Sequence, residues 1–178
     1  MLTVFHLIVA ATALERLLEL VVSARNARWA FARGAVERGR GHFPPMVALH
    51  TALIVAPVVE VALADRPFIP VVGWPAIVVV IGAQALRWWC ITTLGPQWNT
   101  RVIVVPGLSL VRSGPYRWLR HPNYVAVVLE GIALPLVHSA WVTAATFTVL
   151  NAILLLGARI PAEERALSQL AVPTEGSG

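Results

Sequence analysis

The chain has 178 residues, of which 57% are hydrophobic and only 13% charged, and its mean hydropathy is +0.72. A soluble domain carries about a quarter charged residues and a disordered chain has far less apolar content, so both classes are excluded. All 14 basic residues are arginine, and the net charge of +5 indicates membrane topology and anionic lipids or ligands rather than nucleic acid. The single cysteine, Cys90, allows no internal disulfide. The composition therefore predicts an all-α integral membrane protein.

Five apolar stretches approach the length of about 20 residues that a helix needs to cross a bilayer. The runs are continuous rather than alternating, which favours helices over a β-barrel. The first stretch has no basic n-region and no small-residue cleavage site, so we expect it to be a retained span. Only three residues separate the last two stretches, which predicts a helical hairpin, and the fourth is short unless it begins near His121. The predicted spans are Leu2–Val22, Met46–Ala64, Ile69–Trp89, Tyr124–Val137 and Trp141–Ala158.

The arginines are unevenly divided between the predicted loops. Most lie between the first and second spans, between the third and fourth, and in the tail, whereas the opposite loops hold only Arg66. The positive-inside rule therefore predicts that both long loops and the C-terminus are cytoplasmic and that the N-terminus is outside. We expect one membrane-embedded domain over residues 1–172 and a flexible tail over 173–178.

Several ionisable residues fall inside the predicted spans, where a charge costs about 3 kcal/mol or more. Glu15, Arg16 and Glu19 lie in the first span, and Arg16 and Glu19 are spaced to pair on one helix face. Glu60 lies in the second span and Glu130 in the fourth. These residues either line a polar cavity or pair to hold helices together near the interface.

The loop before the fourth span carries the most informative motif. Pro122 suits the first turn of a helix, because its missing N–H costs nothing there. This places Arg120 and His121 at a helix N-terminus on the membrane surface, where N–H groups and a guanidinium attract an anion. Tyr116 and Tyr124 offer flat faces for an adenine ring or an aromatic acceptor. The alternative is an interfacial loop that only anchors to lipid headgroups.

A second cluster follows the fifth span. Arg159 and Glu163 are four residues apart and share one face of a helix, and Pro161 could begin a new helix. A cation and a carboxylate so placed could bind a zwitterionic amino-acid group. The alternative is a solvated helix end with an ordinary ion pair.

The motifs of dinucleotide, phosphate and zinc sites are not found in the sequence. The five histidines show no metal-ligand spacing, so no metal site is predicted. His50 and Asn151 are isolated in apolar segments, and we expect them to form structural hydrogen bonds.

Taken together, the segment from Trp98 to Leu167 resembles the isoprenylcysteine carboxyl methyltransferase family. The resemblance rests on a Gly-x-Tyr that ends at Tyr116, on the run from His121 to Tyr124 that reads His-Pro-x-Tyr, and on Arg-x-x-x-Glu-Glu beginning at Arg159. These are membrane enzymes that use S-adenosylmethionine (SAM) without a Rossmann domain. The N-terminal features, including the run 42–46 (His-Phe-Pro-Pro-Met), resemble a bacterial branch. That branch often accompanies type III polyketide synthases and methylates long-chain pyrone or phenolic products.

The resemblance implies a role for each matched residue. Arg159 corresponds to the catalytic arginine at the acceptor, and Glu163 to the acid that holds the cofactor. The family's eukaryotic members continue past the acidic pair with an aromatic-rich tail that this chain lacks, which favours a small lipid over a protein substrate. The implied cofactor-binding residues are Leu108, Ser109, Leu110, Val111, Tyr116, His121, Pro122, Asn123, Tyr124 and Glu163.

The resemblance thus implies a SAM-dependent O-methyltransferase of the bacterial plasma membrane, with a lipophilic acceptor such as a long-chain alkylpyrone or phenolic lipid. Aligning the two reactants can supply about 7–11 kcal/mol of the barrier. If the acceptor is already an anion, little acid–base catalysis is needed. Two other acceptors stay open, a prenylcysteine carboxylate and a phospholipid headgroup. A non-enzymatic scaffold or transport factor is the alternative from another class.

Overall fold

The computed structural model of the protein describes residues 1–39, 41 and 43–171, and most of them are helical. Arg40, His42 and the predicted tail over 173–178 lie outside the described residues. The prediction of an all-α membrane protein is confirmed. The helices and strands in chain order are α1 (Leu2–Phe31), β1 (Val36–Arg38), α2 (Phe43–Leu63), α3 (Pro70–Leu94), β2 (Val102–Val104), α4 (Pro122–Leu136), α5 (Trp141–Leu154) and α6 (Ile160–Ala171).

Three helical stretches are long and apolar enough to cross a membrane, namely Phe43–Leu63, Pro70–Gln97 and Trp141–Ser168. α1 is longer than any of them, with 30 residues, but it carries the charged residues of the predicted first span. α4 is apolar but has only 15 residues. Large apolar side chains on the outer faces of these helices are exposed, as expected where helices face lipid. The count of five spans stays a prediction.

The predicted hairpin between the last two spans is present, because α4 and α5 are joined by residues 137–140. Pro122 occupies the first position of α4 and His121 its N-cap, as the sequence predicts. Phe5 of α1, Leu53 of α2, Leu134 of α4 and Phe147 of α5 belong to one buried core. The helices therefore share a single apolar centre.

Glu60, near the C-terminal end of α2, caps the N-terminus of α5. Its Oε2 atom accepts hydrogen bonds from the Thr143 N–H at 2.7 Å and the Thr143 hydroxyl at 2.8 Å. Its Oε1 atom accepts from the Val142 N–H at 3.2 Å and pairs with Arg66 at 3.1 Å. A carboxylate at this position satisfies donors that have no partner within their own helix. Glu60 thus has a structural role at a helix end.

Two short strands join the loops that carry most of the arginines. β1 and β2 pair antiparallel, with Val36 opposite Val104 and Arg38 opposite Val102. The loop after α3 is also fixed to α1, because the Ser23 hydroxyl donates to Asn99 Oδ1 at 2.8 Å. Both loops therefore lie at one end of the molecule, although the sequence analysis did not predict the strands.

The helix that leaves the fifth predicted span does not break at Pro161. A single π-helical turn, Leu155–Arg159, connects α5 directly to α6, which begins at Ile160. Pro161 thus lies in the first turn of α6 together with Glu163, as the sequence predicts, although no loop separates α6 from α5. Pro161 is tolerated because the wider hydrogen bonding of the preceding turn already interrupts the regular ladder.

Candidate active site

A cavity of about 320 Å³ lies between α1, α2, α4 and α5. This volume is near the lower limit for small-molecule sites, which span about 300–1,000 Å³. Half of its 22 lining residues are apolar, and the other half includes residues that rarely lie inside a membrane helix bundle. The polar lining residues are Arg16, Glu19, His50, Thr51, Arg87, Trp98, Thr100, Asn123, Tyr124, Asn151 and Arg159.

Arg159 reaches this cavity from the π turn. Its side chain is buried, and Nη2 donates to the Thr100 carbonyl at 2.9 Å. The Thr100 hydroxyl lies 2.8 Å from the Ser23 hydroxyl, so α1 holds the loop that receives the arginine. π turns occur frequently at functional sites, since they change the face that a side chain occupies. Here the turn presents the predicted catalytic residue to the cavity.

Apart from Glu19 Oε1 and Arg87 Nε, which form an ion pair with each other, four buried polar atoms of cavity-lining residues have no hydrogen-bond partner among the described residues. They are Nε1 of Trp98, Oδ1 of Asn123, Oδ1 of Asn151 and Nε of Arg159. An unsatisfied buried polar group costs about 1–3 kcal/mol. Donors and acceptors gathered around one cavity fit a ligand that carries both kinds of group. The amino-acid, ribose and adenine groups of SAM, together with an oxygen of a second ligand at Arg159, meet this requirement.

A buried ionic quartet forms part of the cavity wall at another level. Arg16 pairs with Glu19 at 2.6 Å and, in a very short contact, with Glu130. Arg87 pairs with Glu19 at 3.3 Å and with Glu130 at 2.8 Å. The predicted pairing of Arg16 with Glu19 is therefore present. Glu130 does not line the cavity. It binds Arg16 and Arg87, which do.

His121, Tyr124 and Glu163 form a cluster beside the cavity. The Tyr124 hydroxyl donates to Glu163 in a very short hydrogen bond, and Tyr124 itself lines the cavity. His121 stacks on the Tyr124 ring with 5.5 Å between centroids, and its Nδ1 atom lies 3.5 Å from Glu163 Oε1. The Glu163 carboxylate beside this atom raises the pKa of His121. The structure thus brings three predicted cofactor residues together.

The remaining predicted cofactor residues lie apart from the cavity wall. Leu108, Ser109 and Leu110 are exposed in the loop before α4, and Val111 is partly buried there. Burial and the neighbouring Cys90 thiol raise the pKa of the Tyr116 hydroxyl. Pro122 is buried at the start of α4, next to lining residue Asn123.

The cavity is open between α1 and α2. Leu17 and Leu20 of α1 and Val47 and Val55 of α2 line it, yet each of these side chains is at least 40% exposed. A side chain can line the cavity and also be exposed only where the cavity reaches the outer surface of the bundle. These four residues are apolar, so the opening faces the part of the surface that contacts lipid.

Several lining residues were not predicted as site residues. Trp98, Thr100 and Arg87 reach the cavity only through the packing of α3 and its following loop against α1, and no sequence spacing indicates this. His50 and Asn151 were interpreted as structural because an isolated polar residue in an apolar helix usually is. Their position could have indicated a site, because both are polar residues in segments predicted to cross the membrane.

The chain is similar to uncharacterized proteins of two organisms and matches one family model. The chain is 37% identical over 169 residues to the uncharacterized protein YpbQ of Bacillus subtilis, which covers 94% of this chain and 99% of that protein. It is 28% identical over 156 residues to an uncharacterized protein of Haemophilus influenzae, which covers 87% and 90%. No solved structure matches the chain significantly. The model of the isoprenylcysteine carboxyl methyltransferase (ICMT) family matches residues 76–169, just over half of the chain, and the protein therefore belongs to this family of SAM-dependent membrane methyltransferases.

Proposed function

We propose that this protein transfers a methyl group from SAM to an oxygen of a lipophilic acceptor, such as a long-chain alkylpyrone or a phenolic lipid. The observation that carries the proposal is the cavity itself. It combines a buried arginine with an apolar wall that is open between two membrane helices. An acceptor with an oxygen-bearing head and an apolar chain matches both features.

Particular residues of this chain would hold the two ligands. Glu163, fixed by Tyr124 and His121, offers a carboxylate for the amino group of the cofactor. SAM, when bound, supplies a methyl group on a positively charged sulfur. Arg159, with Nε free of a partner in the part of the chain that the structure describes, would bind the acceptor oxygen and hold it in line. Alignment and exclusion of water are then the main contributions of the protein.

A carboxylate acceptor is the second candidate. The guanidinium of Arg159 is suited to a carboxylate as much as to an enolate, because both present an anionic oxygen to its planar donors. The family takes its name from carboxyl methylation of isoprenylcysteine. A prenylcysteine analogue therefore belongs in the same assay as the alkylpyrone.

The test separates the roles of Glu163 and Arg159. Glu163→Gln removes a charged hydrogen-bond acceptor and should weaken SAM binding by about 1.5–3 kcal/mol. Arg159→Lys keeps the charge but loses the planar fork, so it should lower turnover and leave SAM affinity nearly unchanged. SAM binding is measured by calorimetry on protein in detergent, and turnover by methyl transfer to each acceptor.

The chain offers a matched control for each variant. Glu164→Gln changes the neighbouring acid, whose side chain is 50% exposed, and Arg165→Lys changes an exposed arginine of the same helix. Both should bind SAM and turn over as the wild type does. If the wild type gives neither heat nor a thermal shift with millimolar SAM, the methyltransferase proposal fails. If Arg159→Lys abolishes SAM binding, the division of roles is wrong.

A further inference from the structure

The cavity has a second polar region, distant from Arg159, that the proposed transfer does not use. Two helices give the same separation. Along α1, Arg16 lies seven residues before Ser23. Ser23 marks the level of Arg159, because both residues contact Thr100. Along α4, Glu130 lies seven residues after Asn123. At 1.5 Å per residue the two levels are about 10 Å apart.

His50 faces the cavity at this second level with a defined ring orientation. Its Nδ1 atom lies 2.8 Å from the Met46 carbonyl. A carbonyl only accepts hydrogen bonds, so Nδ1 carries a proton, and Nε2 of the neutral ring is an acceptor. The edge-on contact with Phe147, 5.9 Å between centroids, further fixes the ring. His50 therefore presents a hydrogen-bond acceptor at a fixed place in the cavity wall.

Arg16 is the accessible member of the ionic quartet. Its side chain is 16% exposed, whereas those of Glu19, Arg87 and Glu130 are at most 5% exposed. Its ion pairs use one contact from each terminal nitrogen, and a guanidinium has five N–H donors. Arg16 thus retains donors for a ligand oxygen beside the acceptor that His50 presents.

The charges around this level disfavour an anionic ligand. The groups that act electrostatically on His50 are Arg16, Arg87 and Glu130, and Glu19 completes the quartet. The charges of two guanidinium groups and two carboxylates sum to zero. The arginines therefore offer no net positive charge to a ligand carboxylate. A neutral hydroxyl can donate to His50 and accept from Arg16. An ether or a ketone lacks the proton that His50 requires.

We propose that His50 and Arg16 form a hydroxyl-binding subsite that selects acceptors by a hydroxyl on their head group. The proposal rests on the proposed function, since it specifies the acceptor of that reaction. The subsite lies beside the opening between α1 and α2, where Leu17 and Val47 are both exposed and cavity-lining. A lipid head group that enters from the membrane meets it before it reaches Arg159.

The test measures the binding of two probes to the cofactor-free protein in detergent, with tryptophan fluorescence as the readout. Trp98 lines the cavity and serves as the reporter. The two probes are a long-chain alkylresorcinol and its dimethyl ether. We expect the wild type to bind the resorcinol at least about tenfold more tightly, the effect of one hydrogen bond. His50→Phe should lose this preference, because the ring shape is kept and Nε2 is removed.

His50→Gln is the conservative variant, since its amide oxygen can replace Nε2, and it should keep part of the preference. His6→Phe is the matched control, because His6 is exposed on α1 and is not among the cavity-lining residues, and it should bind both probes as the wild type does. SAM affinity, measured separately by calorimetry, should be unchanged in all three variants.

The possible failures are distinguishable. Equal binding of both probes by the wild type, or an unchanged preference in His50→Phe, overturns the subsite and leaves the methyltransferase proposal intact. Absence of SAM binding in the wild type overturns the proposed function. In that case the fluorescence titration still shows whether the wild type prefers the hydroxyl probe.

Discussion

His121 couples the start of α4 to α6 through charge. Its ring lies between two acids, with Nδ1 3.5 Å from Glu163 Oε1 and Nε2 3.5 Å from Glu164 Oε1. The Glu163 carboxylate beside Nδ1 raises the pKa of His121 above its usual value. The imidazolium form is therefore favoured in the folded protein, where it holds the predicted cofactor acid in place.

This geometry predicts a pH dependence of stability. A raised pKa in the folded state means that the contribution is fully present below the unfolded value, about 6.5, and is lost as the pH rises through the higher folded value. The unfolding temperature should therefore fall more steeply above pH 6.5 in the wild type than in His121→Gln. Thermal unfolding in detergent at a series of pH values measures this. His6→Gln should keep the wild-type slope, and an equal slope in His121→Gln would contradict the coupling.

At the level of single residues, three of the predicted site residues lie in the cavity wall, and their roles there stay a prediction. Asn123, Tyr124 and Arg159 all line the cavity, because their motif fixes spacing along helices that are rigid once formed. The partners of Arg16 could not be predicted in full, since Glu130 is 114 positions away in the sequence. Contacts of this kind depend on how α1, α3 and α4 pack.

At the level of elements, apolar run length located the helices but not all of their ends. α1 continues to Phe31, past the predicted end at Val22, because a helix extends beyond the apolar core into the interfacial region, where Arg25 and Arg28 are tolerated. β1 and β2 have three residues each, too few for a period-two pattern to emerge. The π turn depends on packing and has no sequence signature.

Close packing of α4 on α5 depends on Gly131. A Cβ atom there would lie 2.1 Å from Cε1 of Phe147, a buried core ring that has little room to move. Gly131→Ala should therefore destabilise the protein by about 1–3 kcal/mol, the usual cost of overpacking.

Gly82 provides the matched control, since it lies within α3 and a Cβ there would meet nothing within 4 Å. Gly82→Ala should be neutral or stabilise by up to about 1 kcal/mol, because alanine favours helix more than glycine does. Both are compared by unfolding in mixed detergent. Equal stabilities of the two variants would refute the packing argument.

At the scale of the whole molecule, charge and fold agree on which loops share a side. The pairing of β1 with β2 places the loops after α1 and α3 at the same end. These loops contain half of the 14 arginines, whereas Arg66 lies in the connection between α2 and α3. The positive-inside rule then predicts that the end with the cofactor cluster of His121 and Glu163 is cytoplasmic, where SAM is available.

This orientation is testable with introduced cysteines, because the native Cys90 is fully buried and gives a low background. Ser109 lies exposed in the loop before α4, and Ala64 is exposed at the end of α2. In intact cells, a membrane-impermeant maleimide should label Ala64→Cys, and it should label Ser109→Cys only after permeabilisation. The wild type serves as the unlabelled control. Labelling of Ser109→Cys in intact cells would place the arginine-rich loops outside, and the cofactor cluster beside them would then face away from the cytoplasmic supply of SAM.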